Sequence, residues 1–160
     1  VTSPTQRTLD LAKRMGWMAG VVERWIGPPD KPRLRKLRDL FGFIDIVIVD
    51  YDHQGALGIQ ATGETSSGNV SNRIAKIQGE CLERARRWLC AGNRLEVWGW
   101  AKRGAREKKR WRVRVVRFSW TITGPLKTVE CEGPEPVRKP RAKRKTKQQQ
   151  IEFNEEADHG

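Results

Sequence analysis

The run Phe43 to Val49, FIDIVIV, is apolar except for Asp45. An acid inside such a run is costly to bury unless its charge is compensated. A bound cation would compensate it; so would an ion pair with Arg38 or Arg35. Further along, ALGIQA carries a single polar residue, Gln60, and Thr62 follows it two positions later. Residues two apart on a strand share a face, and neighbours across a hairpin sit about 5 Å apart. Gln60 and Thr62 therefore point the same way. If the two runs pair so that Asp45 joins that face, a carboxylate and an amide carbonyl converge, and such hard oxygen donors suit Mg²⁺ or Mn²⁺. A cation held there can activate water and stabilise charge developing at a phosphodiester. The readings that need no chemistry are a hydrogen-bonding Gln60 at a strand end and a structural Thr62.

These residues need a scaffold, and the chain spells one out. Leu9, Leu11, Ala12 and Met15 recur near helical spacing, and Gly16 stops that helix. Trp17 to Ile26 reads as a strand, ended by Gly27, Pro28, Pro29 and Pro32. FIDIVIV reads as a central strand covered on both faces, with a polar turn at Asp50 to Gly55 leading into ALGIQA as the second arm of a hairpin. After a Gly/Ser/Thr loop, Val70, Ile74, Ile77, Cys81, Leu82, Ala85, Trp88 and Leu89 repeat at three and four residues, which predicts one long helix capped by Asn69 or Ser71. Arg94 to Trp100 and Trp111 to Trp120 alternate as two further strands. From about residue 125 the apolar pattern fades into prolines, a basic run and an acidic end, so disorder is expected there.

Charge narrows the partners. The 160 residues hold 32 Lys and Arg against 19 Asp and Glu, a formal net charge of +13, and such an excess favours polyanions through counterion release. No segment approaches the roughly 18 apolar residues of a membrane span, and no signal sequence opens the chain, so a soluble, cytoplasmic protein is expected, with no membrane partner. Cys81, Cys90 and Cys131 are widely spaced, with no C-x-x-C pair or nearby His, and read as free thiols. Cys81 and Cys90 are expected to be small apolar residues of the long helix.

The order α, β, β-hairpin, long α, β, together with Asp45 and Gln60, resembles the PD-(D/E)XK nuclease superfamily, whose core runs αβββαβ. GFIDIVIV resembles that family's first acidic motif, and LGIQAT occupies the place of its acid-x-Lys triplet, with Gln60 at the second acid and Thr62 at the lysine. Glu23, in VVERW, matches an additional acid of resolvase-like members; otherwise it faces water beside Arg24. The resemblance covers about residues 5 to 100. It implies an α/β, restriction-endonuclease-like domain over residues 1–124 with a central mixed sheet, one added strand, and a disordered Pro-rich and basic tail over 125–160. Asp45, Gln60, Thr62 and Glu23 become catalytic candidates, with Asp45, Gln60 and Glu23 holding the metal. Likeness to Holliday junction resolvases implies DNA, branched or recombining, as substrate, and a homodimer. The Gln-x-Thr variant lacks one anionic ligand and one cation, which leaves open a nuclease fold that binds DNA without cutting it. A basic RNA-binding protein is the third reading. Asp39, in RDLFG, reads as a cap or stop of the basic loop before it.

Phosphate contacts are expected from Arg35, Lys36 and Arg38 in that loop and from Arg73 and Lys76 early in the long helix. A second group, Lys102, Arg103, Arg106, Lys108, Lys109 and Arg110, continues through Arg112 along an alternating strand. Trp98, Trp100 and Trp111 flank it, and either stack on unpaired bases or fill the core. In the tail, seven cations between Arg138 and Lys147 lead into QQQIEF. That hexapeptide resembles the Gln-x-x-aliphatic-x-Phe peptides that dock bacterial DNA-processing proteins on the sliding clamp, which would make Gln148, Ile151 and Phe153 the contacts.

Overall fold

The computed structural model describes residues 2–28, 30, 36–64, 69–105 and 109–135. Its first element is the expected helix, α1 (Pro4–Met15), opened by the Ser3 hydroxyl accepting from Gln6 N and closed by Gly16 at φ +76°. The stretch expected as one strand from Trp17 to Ile26 is two. β1 (Met18–Val21) joins the main sheet, while β2 (Arg24–Ile26) leaves it to pair with β3 (Lys36–Arg38) in a separate two-stranded hairpin.

The strand expected over Phe43–Val49 is shorter, because the chain first turns at Leu40 to Phe43. Phe41 (φ +55°) and Gly42 (φ +86°) are both left-handed there, and Leu40 and Ile44 form an isolated bridge. β4 (Ile46–Val49) then runs antiparallel to β5 (Leu57–Gly63), the predicted hairpin. The single long helix is two, α2 (Asn69–Gln78) and α3 (Leu82–Cys90). Gly79 interrupts it: the poorest helix former short of proline lets the chain turn, and Cys81 N reaches back to Lys76 O at 3.1 Å. Cys81 is buried as expected, whereas Cys90 is exposed; both are free, as is Cys131.

β6 (Arg94–Arg103) lies parallel to β5, and β7 (Arg110–Ser119) returns antiparallel beside it. The mixed six-stranded sheet runs β1-β4-β5-β6-β7-β8, the last strand being Lys127–Cys131. β8 corrects both the disorder expected from residue 125 and the domain limit at 124. Its alternation is poor because it is an edge strand, exposed almost throughout. What fixes it is Leu126 just before it. That side chain is 3 % exposed, and its backbone C=O and N–H are both bonded by the Gln78 amide, at 2.6 and 2.8 Å. Residues 136–160, the remainder of the expected tail, lie outside the described residues.

Two apolar layers sandwich the sheet. Leu11 and Ala12 of α1 pack on Ile46, Ile48, Leu57, Ile59, Trp98 and Trp100. On the other face, Val70, Ile77 and Ala85 of α2 and α3 pack on Ile44, Leu95, Val97 and Val116. Strand alternation decides which face each residue takes. With Ile46, Ile59 and Ala61 turned to α1, Asp45, Gln60 and Thr62 are turned to α2. Among the described residues, no helix is long and apolar enough to cross a membrane.

Because β8 belongs to the fold, Leu126→Ala should cost about 2–3 kcal/mol, and truncation after residue 124 should cost at least as much. Urea unfolding measures both; a truncated chain with the full-length midpoint would show that β8 contributes nothing to the fold.

Candidate metal centre and cationic cleft

Asp45 sits where three segments cross. Its N–H donates to Ile59 O at 2.9 Å, and its C=O accepts from Val22 N at 2.9 Å. The first bond sets the hairpin register so that Asp45 lies opposite Gln60; the second brings the residue after Val22, Glu23, alongside. The Asp45 carboxylate accepts from Gln60 Nε2 at 2.6 Å and from Ala61 N at 2.8 Å. Glu23 lies just past the end of β1 and not within a strand as expected.

A third acid completes the group. Asp39, at the end of β3, belongs to the turn whose Gly42 N–H bonds Asp39 O at 3.0 Å. One carboxylate oxygen from each of Glu23, Asp39 and Asp45 falls within 4.8 Å of the others. The sequence favoured a cap or stop of the basic loop over a direct site role for Asp39. Nothing in its spacing relates it to Asp45, since an irregular turn and not strand alternation delivers it.

Three acids gathered at one point repel one another even in a chain of net charge +13. Burial, then the Asp39 charge and that of Glu23, pushes Asp45 up to about 7, against the pull of the Ala61 N–H and the Gln60 amide. Burial also raises Glu23, whose carboxyl lies beside that of Asp45. A proton or a cation held among these groups would relieve their repulsion. Gln60 supplies a further oxygen. Its Nε2 is committed to Asp45, which leaves Oε1 buried without a partner among the described residues, an arrangement that costs about 1–3 kcal/mol unless something binds it. Three carboxylates and one amide oxygen form an all-oxygen donor set that fits Mg²⁺ or Mn²⁺ and no soft metal.

Thr62 shares the face of Gln60 but not the cluster. Its hydroxyl reaches Gly63 O at 3.5 Å, and it bonds no acid among the described residues. A cation does reach the group from elsewhere: Lys76 Nζ, on α2, lies 3.2 Å from Asp39. Lys76 is thus paired with one of the acids while it also lines the cleft beside them. Neither does Arg38 pair with Asp45 among the described residues, and Arg35 lies outside them.

Beside the cluster opens a cleft of about 890 Å³, lined by the β2–β3 hairpin, the Asp39–Gly42 turn and α2. Arg24, Lys36, Arg38, Arg73, Lys76 and Arg84 line it, against only Asp39 and Glu80. Arg24 stands directly opposite Arg38 in the hairpin register. Like charges so placed destabilise a strand pair, which a polyanion in the cleft would reverse. Arg24 and Arg84 were not singled out in sequence, because only the fold gathers them with the others.

Part of the second basic group, and Arg114 beyond it, is paired within the protein. Arg103 and Arg114 both pair with Glu64, Arg114 also with Glu130, and Arg112 with Glu135. Lys109 and Arg110 remain without an ion pair among the described residues; Arg106 and Lys108 lie outside them. Trp98 and Trp100 are buried under α1, so base stacking there is ruled out. Trp111 is partly exposed, with Arg7 at 3.6 Å and Lys102 at 5.6 Å from its ring centre. Gln148, Ile151 and Phe153, the residues expected to dock on a clamp, also lie outside the described residues.

No family model, curated protein or solved structure matches this chain.

The raised Asp45 pKa has a thermodynamic signature. Between its ordinary value of 3.8 and about 7, the folded state holds a proton that the unfolded state has released. Stability therefore falls as pH rises through that window, and stays lowered above it. Asp45→Asn should flatten this slope and raise the metal-free melting temperature at pH 8. Mn²⁺ should reverse the loss: at a hundredfold excess over its dissociation constant, one bound cation stabilises by about 2.7 kcal/mol. That gain should shrink at pH 5.5, where protons compete, and vanish in Asp45→Asn. A Mn²⁺ effect equal in both proteins would place the cation elsewhere.

Proposed function

We propose that this protein is a divalent-metal-dependent DNA endonuclease of the PD-(D/E)XK type, acting on branched or recombining DNA. The observation that carries this reading is the cluster of Glu23, Asp39 and Asp45, with the unpartnered Gln60 oxygen beside it, opening on a cleft lined by cations. The fold supports it. A helix, three antiparallel strands, a helical crossover and a parallel fourth strand follow one another as in the αβββαβ core, with β2–β3 as an insertion and β7–β8 as an extension.

Glu23, Asp39, Asp45 and the Gln60 carbonyl would hold Mg²⁺ or Mn²⁺. Bound there, the ion would supply a nucleophilic water and neutralise charge on the phosphodiester. The chain's own groups do the rest. Arg24, Arg38 and Arg73 hold the phosphate backbone, and Asp39 receives Lys76, which brings to the acids the positive charge that the family triplet carries at the position of Thr62. Asp39 likewise restores the negative charge that Gln60 lacks. The rival reading, a nuclease fold that binds DNA without cutting it, draws on the Gln-x-Thr variant; the acids and Lys76, supplied from elsewhere in the fold, weigh against it.

Cleavage of supercoiled plasmid and of four-way junctions with Mg²⁺ or Mn²⁺ is the test. Asp45→Ala should lower the rate more than about 100-fold, the upper end of what losing even an outer-shell partner costs a metal site, while DNA affinity stays close to wild type. Gln60→Glu should preserve or raise the rate. A wild type that binds but never cuts either substrate would leave only the rival reading. Each of Arg38→Gln and Arg73→Gln should reduce the slope of log affinity against log salt by about one; unchanged slopes would remove the cleft as the DNA path.

A further inference from the structure

The cleft holds a group that phosphate binding does not need. Phe41 lines it, two residues from Asp39 and on the same turn, with 49 % of its surface exposed. Its φ of +55° makes it the one non-glycine residue with positive φ among the described residues. Gly, Asn or Asp would adopt that conformation at less cost, whereas a bulky aromatic there is an outlier that calls for an explanation. The ring meets Trp88 at 6.1 Å between centroids, tilted by 53°, and about half of the residue stays open to the cleft side and solvent. Trp88 is itself anchored, its Nε1 donating to Arg94 O at 2.8 Å, so the Phe41 ring is backed by a fixed partner.

The surroundings alternate in kind. Ile26, Leu37 and Leu40 line the same cleft among the cations Arg24, Lys36, Arg38 and Arg73. A duplex offers such a surface only half of what it asks for. Its phosphates satisfy the cations, but its bases are stacked on one another and give an exposed ring nothing to cover. An unpaired strand offers both a charged backbone and free base faces, and sites for single strands combine a cationic track with aromatic platforms for that reason.

We infer that the cleft takes an unpaired DNA strand, with a base stacked on Phe41 next to the acidic cluster. This deepens the proposed function, on which it rests: the DNA presented to the metal centre is a strand opened at a fork, flap or junction, and not a continuous duplex.

Fluorescence anisotropy in EDTA, where cleavage cannot compete, tests the inference with a labelled single strand of about 15 nucleotides and the duplex of the same sequence. Wild type should bind the single strand more tightly. Phe41→Asn, which suits the left-handed backbone and should keep the fold by thermal melting, should weaken single-strand binding about tenfold, the equivalent of one lost stack, and duplex binding less than about twofold. Phe41→Trp should retain the preference. Equal affinities of wild type for the two forms, or an Asn variant that binds the single strand as wild type does, would overturn the inference. Metal-dependent cleavage by wild type, measured separately, tells this outcome from failure of the nuclease reading; a wild type that binds neither form overturns both.

Discussion

The site depends on the hydrogen bonds around Asp45. Its N–H to Ile59 O, its C=O from Val22 N and its carboxylate from Ala61 N join β1, β4 and β5 at one residue. A slip of one residue in either pairing would turn the carboxylate into the α1 layer, among Ile46, Ile48 and Ile59. The contacts that set the register of the sheet thus also aim the acid, and the aliphatic layer behind it makes other registers costly. Burial on this scale is what raises the Asp45 pKa, so the strain in the site and the order of the sheet share a cause.

What could be read from sequence follows the range of the signal. Strand alternation carried Asp45 and Gln60, because a hydrophobic run marks its polar exceptions and a hairpin brings neighbours together. α1 was legible through its periodicity and Gly16. The break at Gly79 was not, since the apolar spacing of α2 continues in phase into α3 and an isolated glycine is tolerated in many helices. β8 was missed because an edge strand fixed by one leucine and one glutamine amide has no alternation to read. The pairing of Asp39 with Lys76 was hidden for a different reason: the two lie 37 residues apart, and only the turn at Phe41–Gly42 carries one back to the other. Sequence distance hid the pairs Arg103–Glu64 and Arg114–Glu64, which tie two arginines of a charge stripe that looked continuous to one carboxylate.

The net positive charge is therefore not spread evenly. In the β6–β7 extension Arg103, Arg112 and Arg114 are paired with Glu64, Glu130 and Glu135, while the face made by β2–β3 and α2 lines its cleft with six cations against Asp39 and Glu80. Within that face the acids occupy one point. A polyanion approaching the cleft meets attraction everywhere except at the three carboxylates, where a bound cation would have to mediate. Under the proposed function, a metal held there would draw the reacting phosphate to that one place.

The opposed arginines of the small hairpin have a consequence for binding energetics. Arg24 and Arg38 face each other across β2–β3, a pair that repels when the cleft is empty. Any ligand that neutralises them also strengthens the strand pairing that presents them. Ligand affinity and hairpin order are then linked quantities, each raising the other by the same factor. A polyanion in the cleft would thus lend stability to the hairpin, and amide protection against hydrogen exchange would report occupancy of the cleft without a label on either partner.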